Sequence, residues 1–208
     1  MKKTIHRRGE TTYKETAFGI IPRLELIPLE IEGIKKAWDF IMDKSKKGVI
    51  PITVNLLMKT HKVGFGWIFK EIGGRFRTID VTVSHHKPPN FYLVPQLMKD
   101  FLADIKMRIR HLPDMNNPQY FDSLTELLAW SHHRFLWIHP FVDYNGRVGR
   151  LLTNIILLNL NLPPIELKVE TEKGRTIYIK ALADADNGNY KDLKKLMRSA
   201  IEEAVQQI

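Results

Sequence analysis

The chain of 208 residues contains no cysteine, so disulfides and thiolate metal sites are excluded. No apolar run approaches the roughly 20 residues needed to span a bilayer. The basic start MKKTIHRRGE is not followed by the apolar segment of a secretory leader. A cytoplasmic protein with no membrane partner is the expectation. There is no G-x-x-x-x-G-K-S/T, which argues against a P-loop ATPase, and no H-E-x-x-H. The pairs His85-His86 and His132-His133 point in different directions if helical, so they read as satisfied or surface imidazoles and not as a transition-metal site. Internal repeats and low-complexity tracts are also missing.

What is present is ordinary for a globule with a real core: 44% hydrophobic and 26% charged residues. The net charge of +9 is compatible with an anionic partner or with simple surface solvation, since Lys and Arg are spread along the chain. The dense runs, such as KSKK at 44–47, carry no interleaved aromatics. That weakens a single-strand nucleic-acid platform.

Residues 1–28 look like an N-terminal arm, followed by a single helical domain over 29–208. Ile31, Ile34, Ala37, Trp38 and Ile41 recur at helical spacing. Helices are also expected over 52–62, along the stripe Val94, Leu97, Phe101, Ile105 and Ile109, and over 121–137, 174–185 and 189–206. Between them, residues 66–84 carry Gly73-Gly74 and the alternating run RTIDVTV, which predicts a β-hairpin. The segment VGRLLTNIILLNL is apolar almost all round, the mark of a helix buried at a domain centre. The class is mostly α with one small hairpin.

The loop HPFVDYNGRVGR, residues 139–150, leads into that buried helix. A helix start presents unpaired N–H groups and the positive end of its dipole, a natural phosphate site. Arg147 and Arg150 share a face of the first turn. Two guanidiniums there suit more than one phosphate group. Asp143 then reads as the carboxylate holding Mg²⁺ against phosphate oxygens. His139 can accept a proton near neutral pH, and deprotonating an attacking hydroxyl is the sensible task.

These residues resemble the Fic family, whose signature is His-Pro-Phe-x-(Asp/Glu)-Gly-Asn-Gly-(Arg/Lys)-x-x-Arg. His139, Pro140, Phe141, Asp143, Asn145, Gly146, Arg147 and Arg150 all match. GGRFRTIDVTVSHHKPP resembles the family's flap and RTIYIKALADADNGNYKDL its C-terminal helices. The resemblance implies a Fic-type helical core and transfer of AMP from ATP to a Ser, Thr or Tyr hydroxyl of a target protein. In that picture His139 is the base and Asp143 the Mg²⁺ ligand. Asn145 and the Gly146 amide hold the α-phosphate, Arg147 the β-phosphate and Arg150 the γ-phosphate. The flap, Thr78, Ile79, Asp80, Val81, Thr82 and Val83, pairs with an extended target segment.

Two departures accompany the match. Tyr144 replaces the usual glycine, and a left-handed backbone there would cost it roughly 1–2 kcal/mol. Three readings stand open: a negative φ with the ring shaping the target side, a changed phosphate path, or a ring merely packed outside the loop. The family's inhibitory pattern (Ser/Thr)-x-x-x-Glu-(Gly/Asn) resembles Pro28 to Gly33, with proline in place of the hydroxyl residue. The expectation is that Glu32 pairs with Arg150 as a brake; the alternative is an ordinary exposed glutamate near a helix start. Tyr178 and Leu182 lie one turn apart near the family's adenine pocket and read as core packing. Two rival functions remain at this level: transfer of another phosphate-linked group such as phosphoryl, and a basic nucleic-acid-binding module with a degenerate motif. Oligomeric state is open, a homodimer included.

Overall fold

The computed structural model describes residues 13–83 and 86–207. Positions 1–12 of the arm, and His85, lie outside them. The chain opens on an antiparallel hairpin, β1 (Tyr13–Thr16) and β2 (Gly19–Pro22), with Tyr13 opposite Pro22 and Thr16 opposite Gly19. Seven helices follow among the described residues: α1 (Arg23–Ser45), α2 (Val54–Phe65), α3 (Val94–Arg110), α4 (Tyr120–Ile138), α5 (Asn145–Asn159), α6 (Glu172–Asp186) and α7 (Lys191–Val205). None of them is long and apolar enough to cross a membrane. The periodic stripes thus became helices nearly where expected. The first one starts earlier and runs through Pro28, so part of the expected arm is helical. Proline already has a helical φ and forfeits one hydrogen bond there. Burial of Leu26 and an ion pair between Arg23 and Glu30 at 2.7 Å help to hold the turn.

The hairpin is therefore not where alternation placed it. Residues 78–83 bend at Thr78 and Ile79 and, among the described residues, make only an isolated bridge, Val83 with His86. A strand needs a neighbour to satisfy its backbone groups, and here none is supplied beyond that bridge.

Helix α5 occupies the centre. Val148, Leu152 and Ile156 join the main core, while Leu151 and Ile155 enter a second cluster with Ala37, Ile41, Ile50 and Leu56. Three asparagines on α5 tie passing chain to it. Each accepts one residue's N–H and donates to the same residue's C=O. Asn145 holds Phe141 (2.9 and 2.8 Å), Asn154 holds Ile165 (2.9 and 3.1 Å) and Asn159 holds Ile50 (2.7 and 2.9 Å). Buried loop backbone is thereby satisfied without a sheet.

Helices α1 and α2 meet at a glycine pair. A Cβ on Gly33 would lie 2.2 Å from the Gly64 carbonyl oxygen, so only glycine permits this approach. The buried stripe of α1 is Leu26, Glu30, Gly33, Ala37 and Ile41. That register decides which acidic residue of α1 faces inward.

Candidate active site

Helix α4 ends at His139, whose backbone is left-handed (φ 50°) and whose N–H still donates to the Phe135 carbonyl at 3.0 Å. A left-handed residue just past a helix is a common stop, but usually glycine. The turn aims the imidazole back so that Nδ1–H donates to the Leu136 carbonyl at 3.3 Å. Nε2 is then the nitrogen with a lone pair. Burial lowers the imidazole pKa to about 4, with the Arg77 charge adding to the effect and the Leu136 bond opposing it. Near neutral pH the ring is an unprotonated base.

The loop closes on Asn145. Its side chain was expected at the α-phosphate, but both polar ends are used on the Phe141 backbone and it is buried. It shapes the loop with one of its two N–H donors and one of its two oxygen lone pairs. Helix α5 begins at that point with no side-chain cap, and its first intrahelical bond is Val148 N–H to the Tyr144 carbonyl at 3.0 Å. The preceding amides, Gly146 among them, are the helix-start donors an anion can use.

Arg147 and Arg150 lie on the same end of α5. The Arg150 charge stands beside the Tyr178 hydroxyl. Tyr178 O–H donates to Nε2 of His132 at 2.7 Å, His132 Nδ1–H to Thr153 Oγ1 at 3.2 Å, and the Thr153 hydroxyl to the Gly149 carbonyl at 3.1 Å. Every donor in this relay has one direction, which fixes the Tyr178 hydroxyl beside the Arg150 guanidinium. Burial lowers the His132 pKa to about 3 and raises that of Tyr178 to about 12, so both stay neutral. Tyr178 is thus more than core packing.

Tyr144 adopts the glycine-like conformation (φ 64°, ψ 12°), which removes the reading with a negative φ. Its ring enters the core, stacked on Phe65 with centroids 4.0 Å apart and planes 7° off parallel. Burying so large a ring offsets a left-handed cost of roughly 1–2 kcal/mol. The phenol, its pKa raised by burial and by the neighbouring Glu30, donates to Oε1 of Glu30 at 2.9 Å.

Glu30, and not Glu32, is the carboxylate at the motif. Its Oε2 accepts from Arg147 at 2.7 Å and its Oε1 also accepts from Arg23 at 2.7 Å. Glu32 faces outward and pairs with Lys36 at 3.9 Å; the expected Glu32–Arg150 pair is not formed. The reason is helical phase. Gly33 packs on α2, the residue three before it shares that face, and the residue one before it is turned about 100° away. A second charge of the same chain stands at Asp143. Its Oδ1 accepts from the Tyr144 N–H at 2.7 Å and its Oδ2 faces the Lys14 ammonium of β1 at 3.3 Å.

The flap is joined to the loop by two buried side chains that sequence reasoning passed over. Nδ1 of His61 accepts from the Gly74 N–H at 2.9 Å, so its Nε2–H donates to the Asp143 carbonyl at 3.2 Å. Burial lowers its pKa to about 4. Arg77 donates to carbonyls on both sides, as described below. Among the flap residues Thr78, Ile79, Asp80, Thr82 and Val83 are exposed and Val81 is half-buried. His133 is satisfied by Asp186 (2.9 Å) and Tyr190 (3.0 Å), as expected of a non-metal histidine.

The structure brings His139, Asp143, Gly146 and Arg147 to one loop and helix start, and backs Arg150 by a relay. It excludes Glu32. One signal could have found Glu30: Leu26, Glu30, Gly33, Ala37 and Ile41 are spaced as one helical face, and a carboxylate on such a face needs a buried partner. No comparable pattern marks Arg77 or His61.

Known proteins resemble this chain in both sequence and fold. Residues 51–157, just over half of the chain, match the Fic/DOC family. The chain belongs to that family. It is 27% identical over 197 residues to a protein adenylyltransferase Fic of Nematostella vectensis, covering 94% of this chain and 42% of that one. A protein of the same name from Drosophila willistoni is 27% identical over 178 residues, 85% of this chain and 33% of that one. The chain thus spans less than half the length of these relatives. Among solved structures, Fic-1 of C. elegans (residues 134–508) superposes with a TM-score of 0.68 at 26% identity, over 86% of this chain and 49% of that one. The N-terminal FIC domain of Bep8 from Bartonella sp. 1-1C shares the fold at TM-score 0.72 and 16% identity, over 93% and 92%.

Proposed function

We propose that the chain transfers AMP from ATP to a Ser, Thr or Tyr hydroxyl of a target protein. The observation that carries this reading is the neutral His139, its Nε2 bearing a lone pair, on the same short loop as Asp143 and the α5 start with Arg147. The family relationship and the relatives named protein adenylyltransferase support it. The Nε2 atom of His139 takes the hydroxyl proton as the oxygen bonds to the α-phosphorus. The bond from that phosphorus to the bridging oxygen breaks, and pyrophosphate leaves. The α5 amides at Gly146 hold the α-phosphate; Arg147 and Arg150 hold the β- and γ-phosphates. Asp143 fits a Mg²⁺ ion: its carboxylate already faces one cation, the Lys14 ammonium. Among the described residues no group of three or more His, Asp or Glu could hold a metal. An ion held by one carboxylate plus phosphate oxygens would neutralise phosphate charge when bound. The exposed flap residues Thr78 to Val83 would offer backbone to a target segment.

Glu30 occupies Arg147 in the resting chain, so ATP must displace a carboxylate to use that guanidinium. The test is incubation with α-labelled ATP, Mg²⁺ and a cell lysate. Labelled proteins are expected with the wild type, more with Glu30→Gln, and none with His139→Ala. Mass spectrometry of the acceptors should show added AMP. Added phosphate alone, or labelling that survives His139→Ala, would replace this reading with phosphoryl transfer or with a non-catalytic basic module.

A further inference from the structure

Arg77 is 2% exposed, the largest of the fully buried side chains, and the roles above leave it unused. Its Nε donates to the His139 carbonyl at 2.8 Å and one terminal nitrogen to the Ile138 carbonyl at 3.4 Å. Its own backbone N–H donates to the Pro140 carbonyl at 2.9 Å. Three consecutive carbonyls, at the end of α4 and through the base, thus rest on one residue of the flap root. The other side of the guanidinium serves the flap. It donates to the Ile79 carbonyl at 3.1 Å and to the Pro89 carbonyl, and it pairs with Asp80 at 3.5 Å. Asp80 in turn accepts from the Phe91 N–H at 2.8 Å, where the chain leaves the flap for α3.

We infer that Arg77 is the positioning residue that sets the base and the target-binding flap in one fixed relation. The inference rests on the transfer reading above and deepens it. A planar fork of five donors is well suited to serve carbonyls on two segments at once. His139 has no glycine's freedom at its left-handed turn, so the carbonyl bond to Arg77 is what keeps that turn, and the imidazole, in place. The flap contributes a single backbone bridge of its own. His61 ties the flap root at Gly74 to Asp143 and the His86 ring bonds the Trp137 carbonyl, but the direct link from flap residues 77–80 to the carbonyl of the base runs through Arg77, braced by Asp80. A target hydroxyl carried by a flap-bound segment arrives within reach of Nε2 because both ends of the approach share this anchor.

The test compares two acceptors. Water needs no flap, so release of free AMP from Mg·ATP reports the base alone; AMP on lysate proteins reports base and flap together. Folding is checked by circular dichroism and thermal melting, and Mg·ATP binding by calorimetry. Arg77→Met is expected to bind Mg·ATP like the wild type and to lose both reactions by about 10²-fold, the scale of a one-ångström misplacement. Arg77→Lys should recover part of both. Asp80→Asn, a change at the exposed flap end, should lower the ratio of protein-bound to free AMP. Folded Arg77 variants with wild-type AMP release would overturn the inference. So would a loss of Mg·ATP affinity in step with the loss of turnover, which marks a merely structural role. If the Arg77 variants do not fold, Asp80→Asn decides: an unchanged ratio overturns the inference. A wild type that releases no AMP in a His139-dependent way would sink the transfer reading itself, and this inference with it.

Discussion

Tyr144 shows how one side chain can be misjudged from its position in a motif. Glycine is usual there because the backbone is left-handed, and the backbone is left-handed here as well. The tyrosine is tolerated because Phe65 supplies a stacking face and Glu30 an acceptor. Tyr144→Phe keeps the stack and removes the phenol's bond to Glu30. The expected result is a loss of about 1 kcal/mol in denaturant unfolding, together with tighter Mg·ATP binding, since the carboxylate loses one of its three donors. Unchanged Mg·ATP affinity would mean that the phenol does not help hold Glu30 on Arg147. His139 gives a second prediction at this scale. With its pKa lowered to about 4, the base form is complete across the neutral range. The rate of AMP transfer should be flat from about pH 8 to about pH 6 and fall only as the imidazole protonates below that. An acid limb centred near the ordinary histidine value, about 6.5, would show that burial does not set this group.

At the scale of elements, α1 carries the most information. Its glycine contact with α2 sets the phase that sends Glu30 in and Glu32 out. Gly33→Val would drive a branched side chain into the Gly64 carbonyl. It should destabilise the fold by about 1–3 kcal/mol and, by lifting α1, release Arg147 so that Mg·ATP binds more tightly per folded molecule. Thermal melts and calorimetry on the same sample read both effects. The helices and the catalytic loop were legible in the sequence because periodicity and motif spacing are local properties. Helix α5 was recognisable as central because apolar residues surround it. What stayed hidden is what depends on partners distant in the chain. RTIDVTV alternates like a strand, yet the fold gives it no strand to pair with. Glu32 sits where a short motif puts the brake, yet a glycine contact rotates it to solvent. Arg77 and His61 look like surface or spare residues until the loop they support is placed beside them.

At the scale of the whole molecule, buried neutral histidines make stability depend on pH. His61 and His132 have pKa values lowered by burial to about 4 and about 3. In the unfolded chain each takes a proton near pH 6.5. Between that value and the folded pKa the unfolded state binds more protons, so stability is full above about pH 6.5 and falls as the pH drops. Each group contributes up to about 1.4 kcal/mol per pH unit in that window. Thermal melts from pH 7 to pH 4 should show a steep decline. His132→Gln, though less stable at neutral pH because the relay to Arg150 is interrupted, should show a shallower one. Equal slopes would mean that His132 already binds its proton in the folded protein.

The carbonyl of the base is held by Arg77, its ring by Leu136, and the loop behind it by Asn145 and His61. Such a centre cannot be idled by swinging its imidazole aside without tearing several anchors loose at once. Under the transfer reading, control falls instead at the door: what varies is whether the Glu30 carboxylate of α1 or an incoming nucleotide holds Arg147.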